Sequence, residues 1–203
     1  MSLYLGNQLI PNVLVTSSGE TVNNNEIVLL DYIESTGLDF IDTGIVPSSG
    51  YTAEIGFMPT YIPTNGENWM MSVFDMNVSG YPRMRCGIYN GSYYSDTLNG
   101  FTYNGNVGEY TVAKGGVSIA GCTLSLYLFG AHEPKGVAHL ENSKNRLYYG
   151  CVYDANKVLV TYSRGAKVHG IVGVLDLVNH TFLTGYKGIN NAFIAGNPLT
   201  INQ

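Results

Sequence analysis

Apolar and polar residues alternate with a period of two along several stretches of the chain, which is the pattern of β-strands that bury one face. In Tyr51–Met58 every second residue from Tyr51 to Phe57 is apolar, while Thr52 and Glu54 fall on the opposite face. This alternation predicts a strand whose apolar face lies in a core.

Two stretches in the second half of the chain show a similar alternation. Cys122–Phe129 is predicted to be a strand that carries its leucines on one face. In Arg146–Tyr153 the alternation predicts that Leu147, Tyr149, Cys151 and Tyr153 share a face, with Arg146 and Tyr148 on the other. Segments with strand-forming residues complete the set: Trp69–Met76, Arg83–Tyr89, Tyr110–Ala113, Val158–Ser163, His169–Leu175 and Asn191–Ala195.

Turn signals separate these strands. Asn-Gly pairs, which favour tight hairpin turns, occur at residues 65–66, 90–91, 99–100 and 104–105. No amphipathic helix is predicted, and the single helical signal is a turn at residues 176–179. Many short strands with frequent turns predict an all-β fold, a two-sheet antiparallel sandwich.

The segment Leu30–Gly44, LDYIESTGLDFIDTG, is predicted to be the first hairpin of this sandwich. Ser35-Thr36-Gly37 forms the turn, and Gly37 is expected to adopt a positive φ. Four acids lie in the segment, at positions 31, 34, 39 and 42. We expect them at solvated turns and strand edges, because their spacing does not place two carboxylates on one strand face.

The domain organisation follows from composition. Residues 1–16 predict a short strand-turn-strand segment, residues 17–25 a polar linker rich in Ser and Asn, and residues 26–203 the sandwich domain. The first segment is interpreted either as an attachment device or as an ordinary edge hairpin that pairs with the sandwich. Its candidate attachment residues are Leu3, Tyr4, Leu5, Gly6 and Ile10.

Composition and charge exclude several classes of protein. Of 203 residues, 45% are hydrophobic and only 12% are charged, which indicates a folded chain with weakly charged faces. Nine of the fifteen acids and none of the ten basic residues lie in residues 1–82. No basic cluster predicts nucleic-acid binding. The uneven charge is interpreted as cancelling within one sandwich.

The cysteines and the apolar runs indicate the cellular compartment in which the protein folds. Three cysteines, Cys86, Cys122 and Cys151, lie in predicted strands and are expected to be reduced core residues. The N-terminal residues do not resemble a secretory signal, and no apolar run is long enough to span a bilayer. The sequence therefore predicts folding in a cytoplasm without membrane insertion.

The amino-acid sequences of several segments resemble those of concanavalin A-like (laminin-G-type) jelly-roll domains. Such domains are found in phage and prophage virion proteins and in some bacterial surface proteins. The similar segments follow in the same order and cover about residues 27–196. Two positions depart from the family pattern: Ser163-Arg164-Gly165 replaces the usual Pro-Ala-Arg, and Leu175 replaces a Tyr. The similar segments are Leu30–Gly44, Leu124–His139, Arg146–Arg164, Gly170–Gly185 and Phe193–Gly196.

This resemblance implies a jelly-roll fold and a virion setting. The protein is then expected to be a non-enzymatic fibre or decoration protein of a tail or capsid, attached to other virion proteins through its N-terminal segment. Such proteins form symmetric oligomers, often trimers, and the low charge of this chain suits extensive subunit contacts. A bacterial surface lectin of the same fold is the first alternative, and a glycan hydrolase with an unrecognised site is the second.

Catalytic and metal-binding patterns are not evident in the sequence. The concanavalin-like glucanases carry carboxylates at E-x-D-x-x-E spacing, and this chain has no such run. No nucleophile elbow and no dinucleotide fingerprint is present, so no cofactor is predicted. His132 and His139 flank a loop that also holds Glu133, which leaves a metal site there open.

A glycan-binding site would combine exposed aromatic rings with polar groups. Trp69 lies near an Asn-Gly-Glu-Asn run, and Tyr93, Tyr94 and Tyr103 lie among Asn and Gly. These four residues are the predicted ligand contacts. The competing interpretation is burial, which is favoured for Trp69, whereas one of the adjacent Tyr93 and Tyr94 should face solvent.

Overall fold

The computed structural model describes residues 26–94, 100–116 and 121–199, together with the backbone of the strands between residues 3 and 23. These residues form an all-β sandwich of two facing sheets, as the alternation predicted. In chain order the strands are β1 (Leu3–Leu5), β2 (Gln8–Ile10), β3 (Val13–Thr16), β4 (Thr21–Asn23), β5 (Ile27–Leu29), β6 (Ile33–Ser35), β7 (Ile41–Asp42), β8 (Thr52–Pro59), β9 (Glu67–Phe74), β10 (Arg83–Tyr89), β11 (Ser92–Tyr93), β12 (Thr102–Asn104), β13 (Thr111–Gly116), β14 (Tyr127–Leu128), β15 (Ala131–Glu133), β16 (Gly136–Ala138), β17 (Asn145–Tyr153), β18 (Leu159–Val168), β19 (Ile171–Asp176), β20 (Thr181–Leu183) and β21 (Phe193–Ala195).

The larger sheet has the order β12-β13-β8-β17-β18-β19-β20-β3-β4. In addition, β5 pairs with β18, and β6 pairs with β17 and β21. The smaller sheet has the order β11-β10-β9-β14-β7 and carries the β15-β16 hairpin beside β9. Near the N terminus, β1 and β2 form a separate antiparallel pair. A single turn of 3-10 helix spans Leu140–Asn142. The described residues contain no helix with the length and apolarity needed to cross a membrane.

The main core lies between the two sheets. The larger sheet contributes Ile55, Phe57 and Leu147, and the smaller sheet contributes Met84 and Cys86, all of them fully buried. Burial of each large apolar side chain stabilises the fold by about 1.5–3 kcal/mol. A second cluster lies on the outer side of the larger sheet: Leu29, Ala166, Val168, Leu175, Leu177 and Phe182.

The segment Leu30–Gly44 does not form the predicted hairpin. Its first strand, β6, pairs with β17 and β21 of the larger sheet, whereas β7 pairs with β14 of the smaller sheet. The segment therefore crosses from one sheet to the other. Gly37 has a φ of +83° as predicted, and a Cβ at this position would lie only 2.7 Å from the carbonyl oxygen of Glu141.

Asp39 explains why the chain crosses at this point. The prediction of a solvated Asp39 was wrong, because the residue is completely buried. Its Oδ1 accepts hydrogen bonds from the backbone N–H groups of Phe40 (2.8 Å) and Lys187 (2.9 Å), and its Oδ2 accepts one from Ile189 (3.2 Å). Charge-assisted bonds of this kind compensate a buried carboxylate for its lost hydration. Asp39 thereby joins the crossing to the loop after β20.

The strand β17 contains a β-bulge that reverses its alternation. Leu147 pairs with Phe57 and faces the core, but Tyr149 pairs with Gly56, so the register shifts between them. An extra residue in one strand moves all later side chains to the opposite face. The predicted common face of Leu147 and Tyr149 was therefore wrong. Tyr148 and Tyr149 both lie on the outer side of the sheet.

The predicted strand at Cys122–Phe129 is largely irregular. Only Tyr127–Leu128 forms a strand there, although Leu126 and Leu128 are buried as the alternation predicted. The cysteines also differ from one another: Cys86 is fully buried, whereas Cys122 and Cys151 are half-buried. Cys151 lies on the outer side of the larger sheet rather than in the core, because it follows the bulge in β17.

Candidate functional site

Tyrosine rings form a continuous row on the outer side of the larger sheet. The Tyr148 ring lies 5.7 Å from the Tyr32 ring and 4.6 Å, edge to face, from the Tyr110 ring. Tyr110 is 46% exposed, and the other rings are half-buried. Gly56 makes this arrangement possible, because a Cβ there would overlap the ring of Tyr149 and approach the hydroxyl of Tyr110.

Polar groups extend the row at one end. The Tyr149 hydroxyl donates a hydrogen bond of 2.7 Å to Oε1 of Glu54, and Nζ of Lys114 lies 2.8 Å from Oε2 of Glu54. Partial burial acts to raise the pKa of Glu54, but the hydrogen bonds from Lys114 and Tyr149 outweigh it and lower that pKa. Burial and the neighbouring Glu54 raise the pKa of Tyr149. Glu54 is therefore ionised at neutral pH and Tyr149 is protonated.

A second ion pair lies at the other end of the row of tyrosine rings. Nε of Arg146 donates a hydrogen bond of 2.7 Å to Oε2 of Glu34, and the guanidinium carbon lies 4.6 Å from the centre of the Tyr32 ring. The hydrogen bond to Glu34 raises the pKa of Arg146. We call this surface the tyrosine face and define it by Tyr32, Tyr110, Tyr148, Tyr149, Glu34, Glu54, Lys114 and Arg146.

A recess of about 300 Å³ adjoins the tyrosine face at the edge formed by β12 and β13. Glu54, Lys114 and Tyr149 line it together with Tyr103 and Asn104. A sugar ring stacks its C–H groups on aromatic rings and hydrogen-bonds its hydroxyls to carboxylates, amides and ammonium groups. The tyrosine face and its recess present both kinds of group together.

Comparison of the chain with protein-family models, curated proteins and solved structures finds no match. The geometry of the site therefore carries the functional interpretation, together with the sequence resemblance described above.

The four predicted ligand contacts lie together, but they mainly pack against one another. Trp69 is completely buried, its indole N–H donates a 2.6 Å bond to Oε2 of Glu67, and the Tyr94 ring meets it edge-on at 5.0 Å. The Tyr93 and Tyr103 rings stack at 4.3 Å. Burial of Trp69 agrees with the favoured interpretation.

The hydroxyls of this cluster also have partners within the protein. Tyr93 donates to the carbonyl of Asn106 (2.8 Å), and Tyr103 donates to the carbonyl of Tyr94 (2.9 Å). Tyr93 and Tyr94 are both half-buried, so neither is the exposed partner that was expected. Tyr103 lines the recess beside the tyrosine face. Ligand contact through Trp69, Tyr93, Tyr94 and Tyr103 stays a prediction.

The outer side of the smaller sheet is occupied by the protein's own side chains. Arg85 is almost completely buried, with its guanidinium carbon 4.9 Å from the Trp69 ring and 4.3 Å from the Phe74 ring. Its Nη2 lies 2.8 Å from Oε1 of Glu133. Glu133 is thus committed to a structural ion pair.

The two loop histidines do not converge. His132 stacks on Tyr127 at 3.9 Å, and its Nδ1 lies 2.6 Å from the carbonyl oxygen of Ser125. His139 places its Nε2 3.1 Å from Oε2 of Glu67. Within residues 26–94, 100–116 and 121–199, no three His, Cys, Asp or Glu side chains are placed to hold a metal ion.

Of the predicted attachment residues, Leu3, Tyr4 and Leu5 form β1 and Ile10 ends β2, while Gly6 lies outside the described residues. β3 pairs with β20 and with β4, so Val13–Thr16 and Thr21–Asn23 extend the larger sheet. Residues 21–23 of the predicted linker are therefore a strand. Leu3–Leu5 and Gln8–Ile10 form an antiparallel pair separate from both sheets.

Proposed function

We propose that the protein is a non-enzymatic, glycan-binding structural component of a phage particle, either a fibre or a decoration protein of the tail or capsid. The tyrosine face is the observation that carries the glycan-binding part of this proposal. Exposed Tyr110 and half-buried Tyr148 offer ring surface, while Glu34, Glu54 and Lys114 offer hydrogen-bonding groups around it. Tyrosine suits such a role because it supplies a large contact area at low entropic cost.

The carboxylates of the tyrosine face support binding rather than hydrolysis. A retaining or inverting glycosidase needs one carboxyl group with a raised pKa as the acid and a second group as nucleophile or base. Glu34 and Glu54 are instead paired with Arg146 and Lys114, and the pKa of Glu54 is lowered. Both groups are therefore suited to accept hydrogen bonds from a bound ligand.

The virion setting rests on two observations. The ordered resemblance over residues 27–196 is to domains of virion proteins. The β1-β2 hairpin is the second observation, since an isolated two-stranded hairpin is only marginally stable in water. Four of its six paired residues are Leu or Ile. We infer that this hairpin docks on another virion protein or on a second copy of the chain.

A glycan array combined with product analysis tests binding against turnover. We expect the purified protein to bind a subset of bacterial surface glycans and to release no sugar from the glycans it binds during prolonged incubation. A mixture without protein provides the background for the product analysis. Release of oligosaccharide beyond one equivalent per protein would contradict the non-enzymatic role, and absence of binding to every glycan would remove the glycan-binding proposal.

Deletion of residues 1–10, which removes β1 and β2 and leaves β3 in the larger sheet, tests attachment. We expect the truncated protein to be missing from purified particles when both are analysed by mass spectrometry, because the β1-β2 hairpin is lost. It should still bind the glycans selected on the array, since the tyrosine face lies in β6, β8, β13 and β17 and in the residues directly before β6 and β13. Incorporation of the truncated protein at the normal level would show that the hairpin is not the attachment device. Absence of the full-length protein from particles would contradict the virion setting.

A further inference from the structure

Arg164 borders the tyrosine face on β18. The Gly150–Ser163 and Cys151–Tyr162 pairs join β18 to β17 just beyond the bulge, and Arg164 follows directly. On its other side Arg164 pairs with Leu175, a member of the second apolar cluster. Burial raises the pKa of Tyr110 and of Cys151, and the positive charge of Arg164 opposes this shift at both groups.

Unlike the other two cations of this surface, Arg164 has no ion-pair partner among the residues that the structure describes. Lys114 is paired with Glu54, and Arg146 is paired with Glu34. In the same described residues, the Nε of Arg164 is buried without a hydrogen-bond partner. A half-buried guanidinium without an ion-pair partner keeps its charge available, and beside an open aromatic surface this charge can pair with an external anion.

We propose that the tyrosine face binds a glycan that carries a carboxylate, such as a hexuronate or sialic acid residue, and that Arg164 pairs with this carboxylate. The inference rests on the proposed glycan-binding function and identifies the ligand class of the same face. A guanidinium group matches a carboxylate with two parallel N–H···O bonds, and the two terminal nitrogens of Arg164 would supply them because its Nε is buried. The sugar ring would then lie over Tyr110 and Tyr148.

Charge complementarity supports this assignment. The chain as a whole carries a net charge of −5, which disfavours anionic ligands at most of its surface. On the tyrosine face the two carboxylates are each neutralised by a paired cation, so the charge of Arg164 remains in excess. An acidic glycan would therefore be attracted to this position and oriented by it.

The test compares each hexuronate or sialic acid oligosaccharide of a panel with its carboxyl-reduced form. Four proteins are titrated: the natural chain, Arg164→Gln, Arg164→Lys and the control Lys167→Gln, which removes an exposed charge from the same strand. We expect the natural chain to bind an acidic member at least tenfold more tightly than its reduced form. Arg164→Gln should abolish this preference, Arg164→Lys should retain part of it, and Lys167→Gln should retain all of it.

This experiment distinguishes failure of the carboxylate assignment from failure of the proposed glycan binding. If the natural chain binds only neutral glycans, or binds the acidic and reduced forms equally, the carboxylate assignment is wrong and glycan binding stands. If Arg164→Gln keeps the full preference, Arg164 is not the carboxylate partner. If the natural chain binds neither the acidic nor the reduced glycans, the proposed glycan-binding function is wrong. The comparison of acidic and reduced ligands uses the natural chain, so it does not depend on whether a variant folds.

Discussion

Replacement of Asp39 by Ala is expected to lower the free energy of unfolding by about 3–5 kcal/mol, because it leaves several buried backbone N–H groups without an acceptor. The carboxylate accepts hydrogen bonds from the N–H groups of Phe40, Lys187 and Ile189 and is completely buried. Each bond to a charged acceptor contributes about 1.5–3 kcal/mol, and partial rewetting of the loop offsets some of the loss. Urea denaturation followed by tyrosine fluorescence measures the change.

Asp154→Ala provides the matched control. Asp154 also accepts two backbone hydrogen bonds, from Asn156 (2.8 Å) and Val158 (2.9 Å), but these bonds lie in an exposed turn. Water replaces the lost acceptor there, so we expect a cost below about 1 kcal/mol. Equal costs for Asp39→Ala and Asp154→Ala would contradict the structural role of the buried carboxylate.

The crossing at Asp39 also shows which part of the fold could not be predicted from the sequence. Alternation correctly placed Ile55 and Phe57 in the core, and the turn residues correctly predicted a positive φ at Gly37. The same turn residues suit both a hairpin and a crossing between sheets. Only the distant loop that contains Lys187 and Ile189 distinguishes the two, because it supplies the partners of Asp39.

The tyrosine face was missed for a related reason. Strict alternation in β17 assigned Tyr148 and Tyr149 to opposite faces, and the bulge that unites them depends on pairing with Gly56 in β8. Arg164, at a position that departs from the family pattern, lies on β18 beside the strand that carries both tyrosines. The only sequence signal for the face was the Tyr148-Tyr149 pair itself.

Replacement of Tyr148 by Ala is expected to weaken glycan binding at least tenfold, which corresponds to about 1.4 kcal/mol or more. Tyr148 stands at the centre of the row, with Tyr32 on one side and Tyr110 on the other. Its removal takes away stacking surface and the contact that orients the exposed Tyr110 ring. Tyr148→Phe keeps the ring and should bind within about threefold of the natural chain, if the ring rather than the hydroxyl makes the main contact.

Tyr89→Ala is the matched control for this variant. Tyr89 lies on β10 in the smaller sheet, is 45% exposed, and packs edge to face against Tyr94. It contacts the predicted site at Tyr94 and is not part of the tyrosine face. Thermal denaturation of both variants establishes that each remains folded at the temperature of the binding measurement.

Calorimetric titration of one array-selected oligosaccharide into the natural chain, Tyr148→Ala and Tyr89→Ala tests the location of the site most directly. We predict that Tyr148→Ala loses at least tenfold in affinity while Tyr89→Ala binds as tightly as the natural chain. Unchanged binding by a folded Tyr148→Ala, together with a loss in Tyr89→Ala, would contradict the assignment to the tyrosine face and would place the ligand beside Trp69 and Tyr94 instead.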